Sequence, residues 1–134
     1  MKYKHALIFM TALIAGCFGF VPFQPNRDQD EMWSATGKSR AEVQKAMLEC
    51  GYPNLSSISG RGSDKYPSEN EIAIMFRCMQ HSGFTYGDEG FDFCKGYENI
   101  PACQPGAIIP KRDLGLRINS NFCKSHVNAD ACRP

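Results

Sequence analysis

Apolar residues recur at helical spacing in two stretches of this chain. In the first, Val43, Met47 and Cys50 follow one another at i, i+4 and i+7, directly after Ser39-Arg40-Ala41-Glu42. That tetrapeptide is a capping box, in which the serine hydroxyl serves a free backbone N–H and the glutamate reaches back to the cap. Gly51 and Pro53 close the helix. In the second stretch, Ser68-Glu69-Asn70-Glu71 repeats the cap, and Ile72, Met75, Phe76 and Met79 keep the period up to Gly83. Two helices of about 11–14 residues are predicted, packed as a hairpin. The segment between them, Tyr52 to Pro67, is rich in Ser, Gly and Pro and has no period. It reads as a loop.

The carboxyl third is less regular. Phe84-Thr85-Tyr86 and Phe91-Asp92-Phe93 alternate apolar and polar residues around a Gly-rich turn, which predicts a short β-hairpin near 84–93. Pro101, Pro105 and Pro110 forbid long helices. Leu114, Ile118 and Phe122 keep i+4 spacing, so a third short helix is predicted near 111–119, weakened by Gly115.

The amino terminus has a different pattern. Residues 1–17 read MKYKHALIFMTALIAGC: a short head with Lys2 and Lys4, then an uncharged apolar run of signal-peptide length. The run ends in Leu13-Ile14-Ala15-Gly16-Cys17, which resembles the bacterial lipobox. Small residues before the cysteine let a peptidase approach the backbone, and the thiol accepts a diacylglycerol thioether. Cleavage before Cys17 then frees an amine that is also acylated. Two alternatives stay open. Ala6 to Phe23 reaches the lower edge of a membrane span, although Gly16, Gly19 and Pro22 weaken it. Cleavage after Gly19 by the ordinary signal peptidase is the other. If Cys17 is lipidated, two or three acyl chains hold durably where one holds weakly, at about 0.8 kcal/mol per buried CH₂. Phe18, Phe20 and Phe23 suit a lipid interface, and Pro22, Pro25 and Asn26 read as a flexible tether.

Composition sharpens this picture. The 134 residues hold 15 Lys+Arg against 14 Asp+Glu, 43% apolar residues and seven cysteines. That size suits one small domain and excludes a two-domain cofactor enzyme. A near-zero charge argues against nucleic-acid binding, and loss of Lys2 and Lys4 with the leader turns +1 into −1. So many cysteines suit an exported, stapled chain. With Cys17 assigned to lipid, six remain, and an internal repeat suggests how they pair. Residues 93–105, FCKGYENIPACQP, and 122–134, FCKSHVNADACRP, agree at Phe, Cys, Lys, Asn, Ala, Cys and Pro with an offset of 29. Closing each copy on itself gives Cys94–Cys103 and Cys123–Cys132, each stabilising by roughly 2.5–3 kcal/mol through lost chain entropy. Crossed pairing between the copies is the rival. A Cys₄ metal site is disfavoured, because zinc sites put two to four residues between paired cysteines. Cys50 and Cys78 are then left to join the two helices.

These segments resemble a pattern in small cysteine-rich lipoproteins of Gram-negative bacteria. It is carried by Trp33…Gly37, by Leu48-Glu49-Cys50-Gly51-Tyr52, and by Cys78-Met79…Gly83-Phe84 followed by the Cys-x₈-Cys tail. Such proteins are mostly of unassigned function and several are prophage-borne. The tail loop also faintly resembles the carboxyl ends of exclusion lipoproteins of conjugative elements. In Gram-negative lipoproteins an Asp after the lipidated cysteine commonly marks inner-membrane retention. Phe18 at that place therefore implies the outer membrane. The resulting organisation is a leader (1–16), a lipidated cysteine and tether (17–32), a helical hairpin (33–92) and a duplicated Cys-loop tail (93–134). The fold class expected is a small, mainly α, disulfide-stapled domain.

Catalytic candidates are few. His81 and His126 lie near Cys78 and Cys123, which are expected to be oxidised and hence no nucleophiles. Adjacent Asp88 and Glu89 would point apart, so they make a poor acid/base pair. Gly60-Arg61-Gly62-Ser63 lacks the strand–loop–helix setting of a phosphate loop. Met47, Met75 and Met79 read as helix packing rather than a binding groove, and Lys111-Arg112 with Arg117 as a small basic patch on a solvated face, with a lipid-facing patch as the alternative. No enzyme, cofactor, metal or nucleic acid is expected. The expected function is an outer-membrane-anchored interaction or accessory module, with the membrane and an unidentified protein as partners. Gly96–Ala102 and Ser125–Ala131 would make the contact, because short stapled loops lose little entropy on binding. The alternative is an exclusion lipoprotein that keeps phages or plasmids out. Inhibition of an envelope hydrolase is a third reading, which no residue favours. Oligomeric state and membrane face stay open.

Overall fold

The computed structural model describes residues 23, 25–58, 66–87 and 90–134. The leader, Cys17, the tether's Phe18 and Phe20, Gly60-Arg61-Gly62-Ser63 and Asp88-Glu89 lie outside the described residues. Within them the chain is mainly helical, with a two-stranded sheet and three disulfides. In chain order come α1 (Gln29–Met32), β1 (Trp33–Ser34), α2 (Arg40–Glu49), α3 (Glu69–His81) and β2 (Thr85–Tyr86). A 3₁₀ turn at Pro101–Cys103, α4 (Leu114–Ile118), α5 (Asn121–Ser125) and a second 3₁₀ turn at Asp130–Cys132 complete it.

The two long helices start and stop by the same chemistry. Ser39 Oγ accepts from the Glu42 N–H at 3.3 Å while Glu42 Oε2 accepts from the Ser39 N–H at 2.9 Å, and Ser68 and Glu71 repeat the exchange. At the other end the Gly51 N–H bonds Leu48 O and the Tyr52 N–H bonds Met47 O; Gly83 and Phe84 do the same with Gln80 and Met79. This double bond to the last turn needs a left-handed residue, and Gly51 (φ 92°) and Gly83 (φ 87°) supply it. Tyr52 and Phe84, the next residues, are driven into the core.

The start of α2 carries a pH dependence. The Lys38 ammonium, 2.8 Å away, and the Ser39 N–H hold the Glu42 carboxyl at about 2, against an ordinary 4.5. A carboxyl depressed on folding stabilises above its unfolded pKa, and that contribution is lost as pH falls through the folded one. Acidification from 4.5 to about 2 is therefore expected to fray the first turn of α2. Amide exchange at Glu42 checks it: Glu42→Gln should flatten the pH response, and protection unchanged down to pH 2 in the parent chain would refute it.

Cys50 caps α2 and bonds Cys78 in the last third of α3, with the Cα atoms 5.6 Å apart. The two helices thus meet through their carboxyl-terminal parts. A tight up-and-down hairpin would have set Cys50 against the first turn of α3, and the long loop after Tyr52 allows the shifted meeting. Met47 and Met79 are fully buried at this junction, as packing residues.

Three other expectations change. Thr85–Tyr86 does pair, but antiparallel with Trp33–Ser34 rather than with residues 91–93. The aromatic rings decide this: Trp33 lies 4.7 Å from Phe76 and 5.0 Å from Tyr86, so β1 is held where β2 must run. Phe91 and Phe93 pack on Phe76 instead, outside any strand. Next, α1 falls inside the span expected to be tether, yet it belongs to the folded body. Its Asp30 is buried, accepting from Arg40 Nε at 2.7 Å and Gln44 Nε2 at 2.6 Å, while the backbone N–H groups of Gln29 and Asp30 bond Ser56 O and Leu55 O. Finally, the core gathers Trp33, Met47 and Phe76 with Cys123 and Ala131, so residues on both sides of position 93 share it.

Candidate functional site

Each Cys-x₈-Cys segment is closed on itself, Cys94 to Cys103 and Cys123 to Cys132, with Cα separations of 5.3 and 5.4 Å. Their local structures agree position by position. The residue before the first cysteine stacks on the residue three after it: Phe93 on Tyr97 at 4.8 Å and Phe122 on His126 at 4.5 Å. A backbone bond then turns the chain, Ile100 N–H to Tyr97 O and Ala129 N–H to His126 O. A 3₁₀ turn brings in the second cysteine. The alanine before that cysteine, Ala102 or Ala131, is buried. Only a small side chain fits where the turn presses against the body.

An arginine holds each turn. Arg77 Nη1 on α3 donates to Ala102 O at 2.6 Å, and Asn70 Oδ1 accepts from the Ala102 N–H at 2.9 Å. Arg117 Nη1 on α4 donates to Ala131 O at 3.2 Å and to Arg133 O at 2.8 Å. These anchors escaped sequence reasoning because they lie outside the repeat, at unlike distances upstream of the alanines. The one legible sign was the alanine itself, identical in both copies.

Arg117 also overturns the reading of a solvated basic patch. It is 4% exposed, and its Nε lies 3.1 Å from Glu49 Oε1, while Arg112 Nε lies 2.6 Å from Glu49 Oε2. One carboxylate at the end of α2 thus gathers two of the three cations expected to face solvent. The same inward arginine sets the rotation of α4. Leu114 and Ile118, whose spacing predicted the helix, stand half exposed instead of facing the core.

With Ile100, Ala102 and Ala131 turned inward, the exposed parts of the two loops are Gly96–Asn99 and Ser125–Asn128. They are narrower than the spans expected from sequence and differ in chemistry. The first tip offers Tyr97 and Glu98; backbone N–H groups of Glu98 and Gly96 hold that carboxyl below its ordinary pKa. The second offers His126 and the exposed Val127. His126 Nδ1 lies 3.0 Å from Phe122 O, so its ring is occupied in stacking and backbone bonding rather than aimed at a reaction centre.

A groove of about 320 Å³ lies beside Cys50–Cys78, lined by Pro53, Ile74, Met75 and Leu116, with Glu49, Glu71 and Lys111 among its polar residues. His81 lies beside a neighbouring hollow with Lys111 and Arg112. Among the described residues no three of His, Cys, Asp and Glu are gathered as a metal site needs, and no helix is long and apolar enough to cross a membrane. No family model, curated protein sequence or solved structure matches the chain.

Proposed function

We propose that this protein is a lipid-tethered interaction module of the outer membrane that presents two versions of one stapled loop to a protein partner. The observation that carries the reading is the matching build of the two loops. Each pairs a disulfide, a stacked ring pair, an inward alanine and an arginine-held carbonyl, and each leaves a tip in solvent. A loop fixed in advance loses little entropy on binding, so its exposed side chains count nearly in full. The tether rests on the lipobox at Leu13–Cys17 and on Phe18 after it.

The tips and the tether are tested separately. Tyr97→Ala with Glu98→Ala, and His126→Ala with Val127→Ala, should each weaken capture of the partner cross-linked to the parent chain in intact cells. The combined variant should abolish it, with the thermal transition lowered only slightly by loss of the Phe93–Tyr97 and Phe122–His126 stacks, because the disulfides and the anchors Arg77 and Arg117 are untouched. Unchanged capture by the combined variant would sink the loop reading. The mature chain should also carry lipid mass on Cys17 and gain two hydrogens per disulfide on reduction. A lipid-free mass with a free Cys17 would remove the tether.

A further inference from the structure

Between the end of α3 and the segment 109–112 lies a hollow of about 450 Å³, within the range of small-molecule sites. His81 and Ser82 bound it on one side, and Ile109, Pro110, Lys111 and Arg112 on the other. Its ionisable lining is basic throughout, with no carboxylate among the described residues. The last carbonyls of α3 are withdrawn from it as well. Cys78 O accepts from the Ser82 N–H and hydroxyl, while Met79 O and Gln80 O accept from the N–H groups of Phe84 and Gly83. No residue of either loop tip lines this hollow, so it stands apart from the proposed partner surface.

The cations here differ from those elsewhere on the body. Lys38 is paired with Glu42, Arg40 with Asp30, Lys45 with Pro134 O and Arg77 with Ala102 O. Among the described residues, neither Lys111 nor the His81 ring has a hydrogen bond or ion pair. Arg112 is held by its Nε, 2.6 Å from Glu49 Oε2, which leaves both terminal nitrogens free to donate. The other Glu49 oxygen lies 3.1 Å from Arg117 Nε, so one carboxylate serves two guanidiniums and cannot neutralise both. The nearest other acids are engaged outside the hollow: Asp113 Oδ1 accepts from the Gly115 N–H, and Glu71 accepts from the Ser68 N–H and hydroxyl. We infer that this hollow is a binding site for a phosphate monoester. Such a group carries nearly two negative charges at neutral pH and three acceptor oxygens. Lys111 offers a mobile point charge and Arg112 a planar pair of donors fixed in place by Glu49, whereas a single carboxylate would leave one cation unmatched. Ile109 and Pro110 supply an apolar wall for the organic part of the ester. A soluble sugar phosphate and a phosphatidic-acid headgroup share this chemistry, and the test separates them.

The test follows backbone amide shifts of the whole protein, as purified in dodecylmaltoside micelles. One arm adds glucose 1-phosphate and the other adds phosphatidic acid to the micelles, with glucose and phosphatidylcholine as the phosphate-free and diester controls. Saturable shifts at His81, Ser82, Lys111 and Arg112 are expected in at least one arm and in neither control, and the arm that saturates identifies the source. Lys111→Glu should weaken that binding at least about tenfold, as loss of a charged hydrogen bond does. Arg112→Lys, which keeps a cation beside Glu49 but loses the fork, should weaken it about threefold or more. Lys124→Gln, on α5, should change it less than about twofold. Silence in both arms would overturn the site. So would shifts that potassium chloride reproduces at the same ionic strength, which would be charge screening alone. Saturable shifts that survive both Lys111→Glu and Arg112→Lys would overturn it too, as would an equal loss from Lys124→Gln, which would assign the effect to the field of the whole chain.

Discussion

Replacing Arg117 by methionine is expected to lower the unfolding free energy by about 3–5 kcal/mol, the range for breaking a buried ion pair from one side. The guanidinium is almost wholly buried and serves three groups at once: Glu49 and the carbonyls of Ala131 and Arg133. Methionine matches much of the volume but leaves the buried Ala131 carbonyl without that donor, at about 1–3 kcal/mol, while Arg133, an exposed residue, adds less. Glu49 keeps Arg112, which sets the estimate toward the lower end. Leu116→Ala, one residue away and half exposed, should cost less than about 1 kcal/mol. Urea unfolding with the disulfides intact, followed through Trp33, measures both. The midpoint should fall for Arg117→Met with the slope unchanged. Equal losses for the two variants would show that α4 is held by its aliphatic residues after all.

Replacing Cys50 and Cys78 together by alanine is the second large effect. The bond closes a loop with a sequence separation of 28, against 9 for each of the tail disulfides. Loss of chain entropy predicts about 3.5 kcal/mol for the long loop and about 2.7 kcal/mol for a short one. Cys50 and Cys78 are also buried, so the lost sulfur atoms leave unfilled space and add to the cost. The Cys94→Ala, Cys103→Ala pair should be milder, because that bond lies nearer the surface. Thermal unfolding of the two double variants at one pH gives the order, and a larger loss from the tail pair would overturn it.

The parts of this fold legible in the chain are local. Both capping boxes, the two glycine stops and the period of Met75, Phe76 and Met79 are written within a few residues of where they act. The third short helix lies within the span its pattern predicted, and the closure of the two tail loops follows the repeat. Interactions between distant residues were not legible. Phe84–Phe93 alternates as a hairpin does, yet β2 pairs with Trp33–Ser34, because a ring cluster formed across fifty residues outweighs a turn. Gln29–Met32 reads as linker until Arg40 and Gln44 are seen around Asp30.

The candidate surface divides in the same way. Sequence by itself determined which residues the two tail segments share and suggested that each closes on itself; the disulfides Cys94–Cys103 and Cys123–Cys132 decide that against crossed pairing. Tertiary structure decided which half of each loop faces solvent, since Arg77 and Arg117 reach the alanine carbonyls from helices that the repeat does not include. It also decided that Arg117, in a stretch patterned like an amphipathic helix, turns inward while its aliphatic neighbours turn out. Periodicity ranks residues by their aversion to water. The Glu49 carboxylate and the carbonyls of Ala131 and Arg133 outrank that aversion, and only the folded chain brings them to one place.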